Sequence, residues 1–523
     1  MNMKYILTVF LIIFTLLQGG FTDAVWSLCG LILAVYLLFR VKKMPPMPVL
    51  IPLVFLGVLY MVSIVFHGVS FEGLAALMRV GVVVLLLFVF YNPEADLTEA
   101  VFITGMVVAG IGLAALLGLF HWEGAVTGNR LQSTFQYANA AGFFLGIAAF
   151  LTRLNPKRAA FAPFMEVALV LTQSVGALAV YVIGWIIYFM KNKNNSRGLK
   201  IFKFTVSRKW LFGLSGVVLF VGFFVVLFIR GFRPVATYLE RLIHIWDGLM
   251  VMLRFPLGIG PGAWQFELFA HQSAIYSASK IHSEFIAVGV NAGVLAVILV
   301  LFPLVYWWKN NTGDNKAICV IMILLNAVMD IPFSFLPIIG VGLWLMAVTL
   351  PTAREMRASF QLLFLIPLVL CGIVFVQAAM KNHAQWVAVT NPAGAAEILA
   401  RLPIRNDTGA ILQRLAIYLH YEQHDLLDEA FNTLPRPDTI AHFRRTQSLI
   451  RRELYEEAAY SAIATMETGP HRRVASDLLL EQILPNLSEA RAAEVQYLSA
   501  ALRPNINPLR RLILHILGEE QLW

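Results

Sequence analysis

Residues 128–142, GNRLQSTFQYANAAG, form a polar stretch caught between two long apolar runs. The run before it ends near Phe120, and the run after it continues through FFLGIAAFL at 143–151. An arginine, several amides and two hydroxyls therefore stand at the edge of what reads as a membrane. The rest of the 523-residue chain supports that reading, being 59% hydrophobic and 14% charged with a mean hydropathy of +0.73. So few charges cannot cover the apolar surface of a soluble protein of this size. Repeated apolar runs of about 18 residues or more mark membrane-crossing helices. The fold class that follows is all-α, a polytopic membrane helical bundle.

Apolar segments lie near 4–20, 22–39, 48–66, 73–91, 98–119, 135–152, 209–229, 283–307, 317–334, 336–350 and 359–379. The first, containing YILTVFLIIFTLL, lacks a small-residue cleavage site and reads as a helix rather than a signal peptide. Between the segments, 17 basic residues fall in five clusters. These are Arg40/Lys42/Lys43, Arg153/Lys157/Arg158, the run KNKNNSRGLKIFKFTVSRK, Lys309/Lys316 and Arg354/Arg357. Positive loops stay cytoplasmic, so all five face one side and the N-terminus lies inside. Residues 159–190 have basic loops at both ends and must cross twice or not at all. The TQSVG in their middle predicts two short helices meeting at Ser174–Gly176. The total is about 13 spans, with 120–134, 230–282 and everything after 380 on the extracytoplasmic side. Cys29, Cys319 and Cys371 all sit within apolar runs, which argues against a disulfide framework and a zinc site.

Residues 381–523 differ in kind from 1–380, holding 17 of the 31 acids and 15 of the 40 basic residues. Three segments there are alike: DLLDEAFNTLP, ELYEEAAYSAI and NLSEARAAEV. In each, an acidic or polar pair precedes an alanine, at 430, 458 and 490. A small residue at near-constant spacing within helical periodicity points to stacked helix hairpins. The pattern resembles tetratricopeptide repeats in degenerate form. It reads either as a docking surface for a protein partner or as a folded cap on the membrane part.

The outer loop 230–282 contains helical periodicity from Ala236 to Leu253, with Tyr238, Leu242, Ile245, Leu249 and Met252 on one side. That is an amphipathic helix suited to the bilayer surface. It ends in FPLGIGPGAW, where Pro256 stops the helix and Gly258, Gly260 and Gly262 permit tight turns. Such a loop either presents N–H groups to an anion or simply turns.

Taken together, GNRLQSTFQYANAAG, Arg241, the P-x-G-x-G-x-G-x-W run from Pro256 to Trp264 and HSEFIAVGVNAG from His282 resemble the O-antigen ligase and polysaccharide polymerase family over roughly residues 70–350. The resemblance implies a membrane-embedded, GT-C-like, inverting glycosyltransferase of the plasma membrane that needs no metal or other cofactor. Such an enzyme takes a glycan from an undecaprenyl diphosphate carrier to a hydroxyl of a glycan, lipid or protein acceptor. Membrane lipid is then a partner and nucleic acid is not.

By the family's pattern Arg130 and Arg241 hold the leaving diphosphate, and arginine's planar fork suits phosphate oxygens. The plainer alternatives are a snorkelling arginine at 130 and a stem packed along the apolar stripe at 241. His282, at the end of the loop, is the candidate base for the attacking hydroxyl, since its ordinary pKa near 6.5 suits neutral pH. Glu284 is either an acid near a helix N-terminus or the base itself. Gln132, Gln136 and Asn139 are candidates for sugar hydroxyls, with Gly260 and Gly262 beside them, while Ser133 reads better as a helix cap.

Two departures stand out: Ser174-Val175-Gly176 where relatives have Ser-Arg-Gly, and Asn326 where many have a histidine ahead of the acid, here Asp330. Arg79, Glu166 and Asp330 lie within apolar runs, where charge is costly and marks function unless the groups pair with one another. The rival classes are a flippase for lipid-linked glycans, which predicts inverted repeats that the sequence does not show, and a membrane-anchored scaffold acting through its helical tail.

Overall fold

The computed structural model describes residues 3–40, 43–91, 96–192, 199–201, 204–206, 233–273, 276, 278, 280–350, 354–356, 358–434, 437, 439–468 and 472–502. Over these the chain is helical, with three two-residue or three-residue strand pairs as the only sheet among the described residues. The expected span at 209–229 lies outside the described residues.

Helices α1 (Met3–Leu16), α2 (Asp23–Arg40), α3 (Met47–His67), α4 (Phe71–Phe90), α5 (Thr98–Leu116) and α6 (Ala138–Leu154) follow the apolar runs closely. The break read at TQSVG is present: α7 (Ala162–Leu171) and α8 (Val175–Lys191) are separate helices. Gln173 turns the chain at φ +52°, and Ser174 Oγ caps α8 by accepting the Ala177 N–H at 3.4 Å. Among the described residues, five helices are both long and apolar enough to cross a membrane: Asp23–Arg40, Met47–His67, Phe71–Phe90, Thr98–Leu116 and Phe360–Ala388. Seven further apolar helices have 10–17 residues. Large apolar side chains face outward along these helices, Phe39, Val65, Phe66, Trp308 and Ile366 among them. Patches of that kind need an apolar neighbour to cover them.

Two expected spans are broken. The run 283–307 is two helices, α11 (Glu284–Ala292) and α12 (Val294–Asn310), because Gly293 takes φ +86° and a Cβ there would meet the Pro256 carbonyl oxygen at 1.9 Å. In the run 317–334, α13 (Ala317–Met329) stops at Asp330. Its 13 residues rise only about 20 Å at about 1.5 Å each. A short 3₁₀ turn at Pro332–Ser334 then leads into α14 (Leu336–Thr349). Both breaks bring irregular backbone to the same place.

Between α8 and α11 the outer loop supplies α9 (Arg233–Arg254) and α10 (Trp264–His271). The amphipathic helix read at 236–253 is therefore present, but its two faces are divided differently. Leu242, Trp246, Leu249, Met250 and Leu253 are exposed, whereas Arg241, Ile243, His244, Asp247 and Val251 are buried. Arg241, His244 and Asp247 point inward, while Arg254 at its end is exposed.

The charges within apolar runs are paired, though not with one another. Arg79 holds Asp23 at 2.8 Å. Glu166 is buried with Arg153 at 2.8 Å and accepts the Tyr181 hydroxyl at 2.7 Å. Asp330 takes Arg241 at 3.1 Å.

Helix α15 (Leu365–Ala388) runs without a break through the composition boundary at 380/381. Seven shorter helices follow: α16 (Pro392–Ala400), α17 (Thr408–His420), α18 (His424–Asn432), α19 (Thr439–Arg451), α20 (Tyr455–Thr468), α21 (Arg472–Leu478) and α22 (Glu489–Ala501). Ala430 and Ala458 are fully buried between neighbours, as a repeat's small residue must be. Ala490 is exposed in the first turn of α22, so the third segment does not repeat the first two.

The segment 404–409 ties this part to the long apolar helices. Asn406 Nδ2 donates to the Val69 carbonyl at 3.0 Å, the Asn406 carbonyl accepts the Phe71 N–H at 3.0 Å, and Gly409 N–H reaches Glu72 Oε1 at 3.3 Å. Buried Asp407 accepts from Lys381 at 2.7 Å and from Gln377 at 3.0 Å.

Candidate functional site

The Asp330 carboxylate, buried at the broken end of α13, gathers side chains from three distant parts of the sequence. Its Oδ2 accepts Arg241 Nη1 at 3.1 Å and Asn139 Nδ2 at 3.1 Å. Its Oδ1 accepts the Tyr137 hydroxyl at 3.2 Å. His282 Nδ1 stands 3.5 Å from that same Oδ1, an electrostatic approach rather than a formed hydrogen bond. With a carboxylate on the Nδ1 side, the tautomer protonated at Nδ1 is favoured and Nε2 is left as the base.

Arg130 enters through Asn139. Its Nη2 donates to Asn139 Oδ1 at 3.3 Å and its Nε to the Thr172 carbonyl at 3.1 Å. The short hairpin Val126–Thr127 with Arg130–Leu131 fixes it there. Asn139 Nδ2 also donates to Tyr137 at 3.1 Å, and the Tyr137 ring lies parallel to Phe335 with centroids 5.8 Å apart. Arg130 and Arg241 thus belong to one connected group through Asn139 and Asp330. Arg241 adds a second bond to the Met329 carbonyl at 2.8 Å. Among the described residues its buried Nε has no partner.

Among the described residues, no other candidate forms a hydrogen bond or ion pair with this group. Gln136, at φ +53°, donates its amide to the Glu123 carbonyl at 2.9 Å. Gln132 closes the hairpin with its backbone N–H on the Ala125 carbonyl at 2.8 Å. Ser133 is no helix cap, since its hydroxyl donates to the Val108 carbonyl at 2.7 Å. The glycine-rich turn is used for close packing: a Cβ at Gly262 would stand 2.7 Å from Glu72 Cβ, and one at Gly260 would stand 3.2 Å from His67. Its N–H groups are largely committed, Ile259 to Val290 at 2.9 Å and Gly262 to Asn291 Oδ1 at 3.3 Å. That turn is not an open anion cradle.

Glu284 begins α11, and its Oε1 accepts the Phe333 N–H at 2.8 Å. It lines a separate, partly open cavity with Lys280, while His282 between them faces Asp330.

No protein-family model matches the chain, and no curated protein matches it at a significant level. The resemblance in the motifs therefore rests on the residues themselves.

Sequence reasoning overlooked three members of the neighbourhood. Tyr137 lay within the quoted stretch and was passed over for the amides. His244 is buried on the inner face of α9, its ring 5.5 Å from that of His282 and 4.2 Å from that of Tyr276. Asp247, one turn further on, accepts the Tyr276 hydroxyl at 2.7 Å. The signal for both was available as a polar set at 241, 244 and 247, one residue every three on a single helix face. Burial, then His282 and Arg241, push the His244 imidazole down to about 3, so it stays neutral at ordinary pH.

Proposed function

We propose that the chain is a plasma-membrane glycosyltransferase of the O-antigen ligase or polymerase type, using an undecaprenyl diphosphate-linked glycan as donor. The observation that carries this reading is the grouping of Arg241, Asn139, Tyr137 and His282 around Asp330, with Arg130 joined through Asn139. A transfer of this kind needs a base for the acceptor hydroxyl and cations for the departing diphosphate, and this group offers both.

The acceptor oxygen attacks the anomeric carbon as the bond from that carbon to the diphosphate oxygen breaks. The hydroxyl proton passes to His282 Nε2, and the electron pair leaves with the diphosphate. Arg241 keeps donors beyond those given to Asp330 and Met329, because a guanidinium carries five N–H groups. Asp330 holds the imidazole's tautomer and stabilises its charge once protonated, as a carboxylate does for any imidazole base.

The reading extends to topology. About 13 crossings with the five basic clusters inside leave α9 and the C-terminal helices outside, where those helices act as a repeat-like platform. The inward-facing Arg241 and Asp247 and the outward apolar face of α9 favour a place at the outer bilayer surface. Labelling of Trp246→Cys and Tyr421→Cys by an impermeant maleimide in intact cells tests this, and modification of only one of the two defeats it.

The decisive experiment follows glycan transfer from purified undecaprenyl diphosphate-glycan by the protein in nanodiscs. Transfer is expected with wild type and impaired in Arg130→Lys and Arg241→Lys, because a point charge does not reproduce a bidentate fork. Absence of transfer with every acceptor class, alongside movement of donor across the bilayer, would make the protein a transporter instead.

A further inference from the structure

The loop 280–284 separates two polar groups. His282 faces Asp330, whereas Lys280 and Glu284 line a partly open cavity of about 400 Å³. Sites for small ligands commonly measure about 300–1,000 Å³. Most of the wall is apolar, with Leu53, Val83, Leu87, Leu304, Ile323 and Leu343 drawn from five helices.

One side is charged, and its groups are unequally satisfied. Arg79 is committed to Asp23 at 2.8 Å and to the Phe21 carbonyl at 3.0 Å. Glu284 accepts the Phe333 N–H. Lys280 has the Ser334 hydroxyl at 3.0 Å and the face of Phe21, 4.2 Å from the ring centre. Among the described residues its ammonium forms no ion pair. Lys280 nonetheless retains accessible surface, as a side chain lining a cavity does. An ammonium carries three donors, and one left short of partners beside an apolar void is costly unless an anion joins it.

We infer that this cavity binds a single-chain amphiphile with an anionic head, Lys280 Nζ holding the head and the apolar walls the chain. Charge and shape agree on this class. Of the carboxylates on the wall, Asp23 is paired with Arg79, Glu72 accepts the Gly409 N–H and Glu284 the Phe333 N–H. A free anion would leave the apolar wall uncovered, and a neutral alkyl chain would leave the ammonium without a direct ionic partner. Burial, reinforced by Arg79, lowers the Lys280 ammonium below the usual lysine range, while Glu284 and Asp23 oppose that shift. A bound anion favours the charged form, so affinity falls as pH rises, and it does so before the ordinary lysine range is reached.

The inference is independent of the transfer reaction, because binding is scored without turnover. The probe is an alkyl phosphate bearing a mid-chain diazirine, photo-crosslinked to the full-length protein in phosphatidylcholine nanodiscs and mapped by peptide mass spectrometry. Crosslinks are expected on the cavity-lining stretches of α4, α13 and α14. Dodecyl phosphate should compete for them, while dodecanol and inorganic phosphate should not. Lys280→Gln should cut the cavity signal at least about tenfold at sub-saturating probe, as loss of a charge-assisted contact does. Lys280→Arg should retain most of it. Leu343→Trp, which fills the void and leaves the charge, should abolish it.

Equal cavity labelling in Lys280→Gln overturns the inference. So does competition by dodecanol as strong as by dodecyl phosphate, or displacement by inorganic phosphate alone. Labelling confined to outward residues such as Val65 and Phe66 would reduce the probe to bulk lipid, and also overturns it.

Discussion

Arg241 and Asp330 meet at 3.1 Å with both side chains more than nine-tenths buried. A charge pair this enclosed contributes little over an apolar pair, but loss of one partner strands the other. Asp330→Asn should therefore cost about 3–5 kcal/mol of stability and abolish transfer. Arg241→Met added to it should recover much of the stability and none of the activity. Thermal unfolding in nanodiscs beside the transfer assay separates the two effects; equal stability of the single and double variants would refute the pairing.

His282 and Glu284 are distinguished by what they face. His282→Ala should slow transfer by about 10²–10⁴-fold while lipid-linked donor is still bound. Glu284→Gln should slow it far less, since its carboxyl is held by Phe333 in the other compartment. An inactive Glu284→Gln with near-normal His282→Ala would reverse the assignment.

His244 gives the fold a pH dependence whose sign is fixed. Folded, its imidazole titrates at about 3; unfolded, a histidine titrates near 6.5. Between those values the unfolded chain binds a proton that the native state refuses, so stability falls as pH falls. The loss is at most about 1.4 kcal/mol per pH unit. His244→Phe, which keeps the ring stacked, should flatten the melting temperature between pH 6.5 and pH 4. Parallel pH curves for the two proteins would count against a buried neutral imidazole.

At the join between the two parts, Asp407→Ala should strand Lys381 and free Gln377, at a local cost of about 3–5 kcal/mol. Limited proteolysis should then cut near Thr390–Asn391 well before the membrane helices are lost. Unchanged cleavage kinetics would show that the ties through Asn406 suffice alone.

Gly262→Ala should be poorly tolerated, because φ is +77° and the new Cβ would stand 2.7 Å from that of Glu72. Backbone strain of this kind costs about 1–3 kcal/mol. Gly110→Ala, which meets nothing within 4 Å, is the control and should melt like wild type.

The helical class and most element positions were legible in the sequence because apolar run length and turn residues such as Ser174 act locally. Where the runs broke, Gly293 packs against the distant Pro256, while at Asp330 the nearby Pro332 ends the helix. Hydropathy carries no trace of the first contact. Arg130, Asn139, Arg241 and His282 were readable as motif residues. Asp330 was visible as the acid that follows Asn326 and as a charge within an apolar run, and its place at the centre of the group depends on helix ends meeting in space. On α9 the apolar stripe was legible, and Leu242 and Leu249 of it are exposed while Met252 is buried; that 241, 244 and 247 form the buried side was not.

Helix α15 is a stiff rod with no glycine-rich or proline joint where the composition changes at residue 380. Its 24 residues measure about 36 Å, so a tilt of about ten degrees at one end sweeps the other through about 6 Å. Its middle is bolted through Gln377 and Lys381 to Asp407, on the loop that grips α4. Any load placed on the C-terminal helices is therefore felt as torque on the bundle, and specifically on Glu72, whose neighbours are the glycine-rich turn and the walls of the partly open cavity.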